Sequence, residues 1–240
     1  MATPETRGYK AAAYFLRSIF GPATRKDWHG AENLPKDSGF IAVSNHVSYA
    51  DPITLGHFLY LNGHPPRFLA KSSLFELPVI GKALHGVDQI PVYRGTSRAK
   101  DAVDKGIEVL QRGDMIAMFP EGTLTRDPDL WPMVARPGAV RMALDAGVPI
   151  IPVAQWGAHR LLAPYGKVFK PIPPKTITVV AGPPIDLSDI GDKRDAETLR
   201  AATDRVTATL TAMLADIRGE EPPAMPWDMR KGGRVSGADS

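Results

Sequence analysis

The stretch GFIAVSNHVSYADPITLGHFLYL, Gly39 to Leu61, decides the fold. Its opening apolar run follows a glycine and reads as a strand buried on both faces. Asp51 and Pro52 then begin a helix, because proline fits the first helical position and aspartate is a preferred cap. A strand, a polar loop and a helix in immediate succession make one unit of an α/β layer structure.

The same alternation continues outward. RFLAKS, QIPVYR, DMIAMFPEG, VPIIPVAQW and TITVVAG read as further strands bounded by Gly, Pro and Asp. Helical spacing of apolar residues predicts helices over Ser97 to Arg112 and about Arg194 to Arg218, each stopped by a glycine. The expected architecture is a single α/β domain, residues 26–218, with a largely parallel or mixed central sheet flanked by helices.

Before it, residues 1–25 contain RGYKAAAYFLRSIF, Arg7 to Phe20, a basic amphipathic helix. Two readings of this helix stand side by side: docking on its own domain, or anchorage in a membrane interface. After Gly219, residues 219–240 are polar and rich in Pro and Gly, which predicts a disordered or loosely draped tail.

Composition narrows the function. The 240 residues contain no cysteine, which excludes disulfides, thiolate metal sites and a cysteine nucleophile. No apolar run approaches a membrane span and no signal peptide opens the chain, so no membrane crossing is expected. The net charge of +3 suits anionic lipid or phosphorylated substrates. No basic block is interleaved with aromatics, which speaks against nucleic acid.

Ligands of open α/β sheets gather beyond the carboxyl ends of the strands. His46 and Asp51 follow the first strand run, Lys71 the second, Arg94 the third, and Glu121 with Arg126 the fourth. A histidine five places before an aspartate is expected about 0.45 times by chance in such a chain, so the pair alone proves nothing. Asp51 can cap the helix with one carboxylate oxygen while the other accepts the Nδ1 proton of His46, leaving Nε2 as a base. The basic side chains, with Glu121, describe a rim able to grip a phosphate while that base deprotonates a hydroxyl. Motifs of serine hydrolases, P-loop proteins, dinucleotide-binding proteins and zinc proteases are missing from the sequence.

These residues resemble the boxes of the glycerolipid acyltransferases, the family containing 1-acyl-glycerol-3-phosphate acyltransferase. NHVSYAD, IPVYR, FPEGTLTR and VPIIPVAQWG are similar, in order, to its four boxes between Ser44 and Gly157. The resemblance implies that His46 is the general base and Asp51 its orienting partner. It further implies that Lys71 and Arg94 bind the acceptor phosphate, that Glu121, Gly122 and Thr123 help place the glycerol, and that Arg126 belongs to the same substrate site. Leu124 departs from the family pattern, which commonly has arginine there.

The implied reaction moves a fatty acyl group from acyl-CoA or acyl carrier protein to a lysophospholipid hydroxyl, with neither a metal nor a further cofactor. Ser48 as a covalent nucleophile is the lesser reading. A peripheral position on the cytoplasmic side of the cell membrane is the expectation that follows for a lipid acceptor.

Overall fold

The computed structural model describes residues 9, 10, 14, 18, 20–93 and 99–234. Seven strands form the central sheet: β1 (Thr24–His29), β2 (Phe40–Val43), β3 (Arg67–Lys71), β4 (Ile90–Val92), β5 (Met115–Met118), β6 (Ile150–Trp156) and β7 (Lys175–Ala181). Their spatial order is β1-β7-β6-β2-β5-β3-β4. All neighbouring pairs are parallel except β6 with β7. The expected α/β domain with a largely parallel, mixed sheet is what the chain forms.

Central strands β2 and β5 are apolar on both faces because helices cover both. Ile41, Val43, Ile116 and Ile150 pack with Leu199, Val206 and Leu210 of the long C-terminal helix α5 (Ala196–Arg218) on one side. That side is completed by α3 (Ala99–Gln111) and α4 (Gly138–Ala146). On the other side, Ala42, Ala117 and Ile151 pack with Leu55, Phe58 and Leu59 of α1 (Asp51–Leu61). A two-turn helix, α2 (Pro78–Gly86), follows β3.

Several elements carried no sequence signal. Strand β1, TRKDWH, lacks an apolar run, and it forms because all six residues pair with β7. Helices α2 and α4 are nine residues each, too short for their periodicity to stand out. The helix expected from Ser97 begins, within the described residues, at Ala99. Helix α5 starts one residue after Asp195, whose carboxylate caps it by accepting the Thr198 amide at 2.8 Å.

Within the N-terminal segment, Tyr9, Lys10, Tyr14, Ser18 and Phe20 to Ala23 are helical; the rest of the amphipathic pattern lies outside the described residues. Tyr9 stacks on Tyr60 of α1 at 5.6 Å, and Phe20 meets Phe169 at 5.2 Å. Both ring contacts are to the protein's own domain.

The segment after Gly219 is not a loose tail through residue 234. It forms a two-stranded hairpin, β8 (Trp227–Asp228) with β9 (Gly233–Arg234), and Val134 donates its amide to the Trp227 carbonyl at 2.9 Å. Arg234 forks onto Asp127 at 2.8 and 2.9 Å and also reaches Asp129. The Asp127 side chain is fully buried, so charge pairing overrides the solvating composition of the tail. Arg234→Ala is expected to cost about 1–3 kcal/mol in chemical denaturation, because a buried carboxylate loses its only paired cation among the described residues.

Candidate active site

The residues following β2, β5, β3 and β6 gather at the carboxyl edge of the parallel strands. Asn45 extends the β2–β6 pairing with its side chain: Nδ2 donates to the Gln155 carbonyl and Oδ1 accepts the Gln155 amide, both at 2.9 Å. The Gln155 side chain in turn accepts from Thr54 at 2.6 Å and donates to Ser44 at 3.1 Å. All four side chains are buried, and their mutual pairing fixes the start of the loop that carries His46 against β6 and α1.

The loop then turns back on itself. His46 Nδ1 lies 3.1 Å from Asp51 Oδ2, and the same oxygen accepts the amides of Val47 at 2.5 Å and Ser48 at 2.7 Å. The helix-cap reading of Asp51 is therefore corrected. Asp51 is the first residue of α1, Ala50 occupies the cap position, and no side chain caps the helix. The carboxylate reaches backward to the loop amides, which is how two residues five apart in sequence come into contact.

With its Nδ1 proton donated to Asp51, His46 presents the Nε2 lone pair. The ring is only 13% exposed and stacks on Phe119 at 4.0 Å and 18°. Phe119 is continued by Phe68, 6.2 Å away with its ring nearly parallel. The imidazole thus meets an apolar ring face on one side and a buried carboxylate at Nδ1.

Ser48 is unsuited to be a nucleophile. It is fully buried and its hydroxyl donates to the Leu162 carbonyl at 2.6 Å, while Oγ accepts the Ala50 amide.

Glu121 is engaged by the backbone of two loops. It is buried, with Oε1 accepting the His46 amide at 3.1 Å and Oε2 the Met133 amide at 3.0 Å. Together with the Thr125 amide bound to the His46 carbonyl at 2.7 Å, it clamps the histidine backbone between two loops. Burial pushes the Glu121 carboxyl up to about 8 against the opposing pull of those two amide bonds.

That displacement predicts a pH effect on stability. A carboxyl whose pKa rises on folding stabilises the fold while it is protonated, and the contribution is lost as pH climbs from about 4.5 through about 8. His159, driven down to about 4 chiefly by its own burial, responds in the opposite sense, but at lower pH. Between pH 6.5 and 8, chemical denaturation should therefore show Glu121→Gln losing about 2 kcal/mol less than the parent. A parallel pH dependence in both proteins would refute the assignment.

Of the other residues expected at the site, Lys71 ends β3 and is exposed. Because β3 and β2 both neighbour β5, its backbone lies about 10 Å across the sheet from that of the His46 strand. Gly122 turns the chain at φ 77°, where a side chain would be strained and its Cβ would sit 3.2 Å from Arg136 Nε. Thr123 is half-buried beside it, and Arg126 is exposed. Arg94 lies outside the described residues. Leu124 is buried, and its carbonyl accepts the Tyr165 hydroxyl at 3.1 Å.

Sequence reasoning had no signal for Asn45, Gln155 or Phe119 as supports, since their partners come from distant strands. His159 was also unanticipated. It packs on Trp156 at 4.3 Å just after β6 and stays neutral at physiological pH.

A histidine held by a buried aspartate thus lies beside a glutamate-clamped FPEGT loop at the carboxyl edge of a mixed α/β sheet. The acyltransferase family profile matches residues 25–156, and the chain belongs to that family. Among curated relatives, the chloroplastic 1-acyl-sn-glycerol-3-phosphate acyltransferase BAT2 of Brassica napus is 34% identical over 143 residues, 59% of this chain and 40% of that protein. The 1-acyl-sn-glycerol-3-phosphate acyltransferase of Borreliella burgdorferi is 36% identical over 54% of this chain and 50% of its own. That of Bacillus subtilis is 29% identical over 82% of this chain and 92% of its own. The chain thus spans about half or less of the length of the first two relatives. The crystal structure of the 1-acyl-sn-glycerophosphate (LPA) acyltransferase PlsC from Thermotoga maritima shares the fold, with a TM-score of 0.69 at 24% identity over 90% of this chain and 81% of that one.

Proposed function

We propose that this protein transfers a fatty acyl group from acyl-CoA or acyl carrier protein to the free hydroxyl of 1-acyl-sn-glycerol 3-phosphate, giving phosphatidate in phospholipid synthesis. The observation that carries the reading is the His46 imidazole, oriented through Nδ1 by Asp51 with Nε2 left as base. The names of the relatives support the same acceptor.

His46 Nε2 takes the hydroxyl proton as the oxygen attacks the thioester carbonyl. The tetrahedral intermediate collapses with loss of the thiolate, which recovers the proton from the imidazolium. Asp51 stabilises that imidazolium and holds the ring in place. Lys71, Arg94 and Arg126 supply cations for the acceptor phosphate, and Gly122 and Thr123 border the glycerol. Glu121 acts through the backbone of His46. A lipid acceptor supports a peripheral position at the membrane surface, and we propose the cytoplasmic side of the cell membrane.

Acylation of glycerol 3-phosphate or of another lysophospholipid is the second reading. It is favoured by Leu124, which is turned into the core and leaves the phosphate rim one cation short of the usual family pattern. Thiol release from palmitoyl-CoA, measured with a panel of lysophospholipids and glycerol 3-phosphate, tests both. Fastest release with 1-acyl-sn-glycerol 3-phosphate is the expected result; a folded protein that releases no thiol with any acceptor would instead be a non-catalytic lipid-binding protein.

A further inference from the structure

The carboxyl edge that carries His46 also carries most of the exposed large apolar side chains among the described residues. Beyond β6, the loop LLAPYGKVFKPIPPK from Leu161 to Lys175 leaves Val168 68% and Ile172 84% exposed, with Tyr165, Phe169 and the neighbouring Tyr49 also open to solvent. Beyond β3, on the far side of His46, Leu74 and Leu77 are exposed and Val79 is 80% exposed. The sheet order β6-β2-β5-β3 puts the catalytic loop between these two patches.

Charge and connectivity distinguish these patches from scattered surface apolars. No Asp or Glu occurs between Asp145 and Asp186, whereas Arg160, Lys167, Lys170 and Lys175 fall in that interval. Lys71 and Lys82 flank the second patch, which holds one carboxylate, Glu76. Apolar and aromatic side chains interleaved with lysines match an anionic lipid interface, where the lysine stems lie along the acyl boundary and the ammonium groups reach headgroups.

The first loop is also fastened to the catalytic machinery. Ser48 donates to the Leu162 carbonyl, and the Tyr165 hydroxyl donates to the Leu124 carbonyl. Tyr165 adopts φ 57°, a conformation uncommon outside glycine, and its hydroxyl bond pins it there. The N-terminal helix meets the loop through Phe20 and Phe169 while Tyr9 packs on α1, so its described aromatic contacts are spent on its own domain.

We propose that this edge is the face laid on an anionic lipid surface. Val168 and Ile172 enter the interface on one side of His46, and Leu77 and Val79 on the other. The active site then opens toward the bilayer between two footings, and the 161–175 loop transmits its position to the catalytic loop through Ser48 and Tyr165. This deepens the peripheral attachment proposed above, and binding to vesicles can be read without any turnover.

Because the chain has no cysteine, Ile172→Cys, Val79→Cys and, on the opposite edge before β2, Asp37→Cys can each carry one environment-sensitive fluorophore. Vesicles of phosphatidylcholine mixed with phosphatidylglycerol should shift the emission to the blue at 172 and at 79 and leave 37 unchanged, with weaker shifts on phosphatidylcholine alone. No shift at 172 or at 79, or an equal shift at 37, overturns the proposal. A shift that grows with protein concentration in the absence of vesicles also overturns it, in favour of a second copy covering the face.

The double variant Val168→Asp/Ile172→Asp, with an unchanged circular dichroism spectrum, should lower vesicle partitioning by at least about tenfold while turnover on a monomeric short-chain acceptor persists. Unchanged partitioning would count against the loop. If the fluorophores report binding but no acceptor is acylated, the enzymatic reading fails and the lipid-facing edge stands.

Discussion

His46→Ala is expected to lower turnover by about three orders of magnitude with little loss of stability. Removing a positioned base typically costs 10²–10⁴ in rate. The ring is a minor part of the core: it is partly exposed and stacks on one face with Phe119, and its loss leaves Asp51 Oδ2 with the Val47 and Ser48 amides. Thermal melting and thiol-release kinetics on the same preparation separate the two effects. Full activity in a folded His46→Ala protein would remove imidazole base catalysis from the mechanism.

Asp51 should show two different failures according to what replaces it. Asparagine keeps an oxygen that can accept the two loop amides, but it carries no charge to stabilise an imidazolium, so Asp51→Asn should lose about 10²–10⁴ in turnover and little stability. Alanine leaves three donors without their acceptor, at about 1–3 kcal/mol for each that stays buried. That exceeds the roughly 1 kcal/mol of a lost helix cap. Denaturation midpoints for the two variants decide between the roles: equal, small losses would mean that the carboxylate does not organise the loop.

Two features link this pair to the rest of the molecule. Glu121 clamps the histidine backbone from β5, and Arg234 closes the C-terminal hairpin over Asp127 in the same loop. A single chain segment, residues 119–137, thus supports His46 and receives the C-terminal hairpin. The expected effects of Glu121→Gln and Arg234→Ala on stability should accordingly be accompanied by losses of activity.

Much of this was legible in one dimension because the relevant signals are local. Apolar runs such as GFIAV and VPIIPV predict buried strands, since both faces of a central strand must exclude water. Helix α5 shows its apolar stripe over 23 residues, enough for the period to be unmistakable. His46 and Asp51 stand in one box, and their pairing needed only a turn between them. Polar β1 and the C-terminal hairpin were not legible, because β7 and Asp127 supply what their own residues lack. The two amide partners of Glu121 were not legible for the same reason: nothing in FPEGTLTR points to the amides of His46 and Met133.

By itself the sequence determined the layer architecture and the order of the acyltransferase boxes, because periodicity and short motifs are set by neighbours along the chain. Only the tertiary structure decided which groups hold His46, which carboxylate is buried and which loops stand out beside it. Those outcomes depend on strand order and on hydrogen-bond partners far apart in sequence, where each buried donor must find an acceptor that the local chain does not contain.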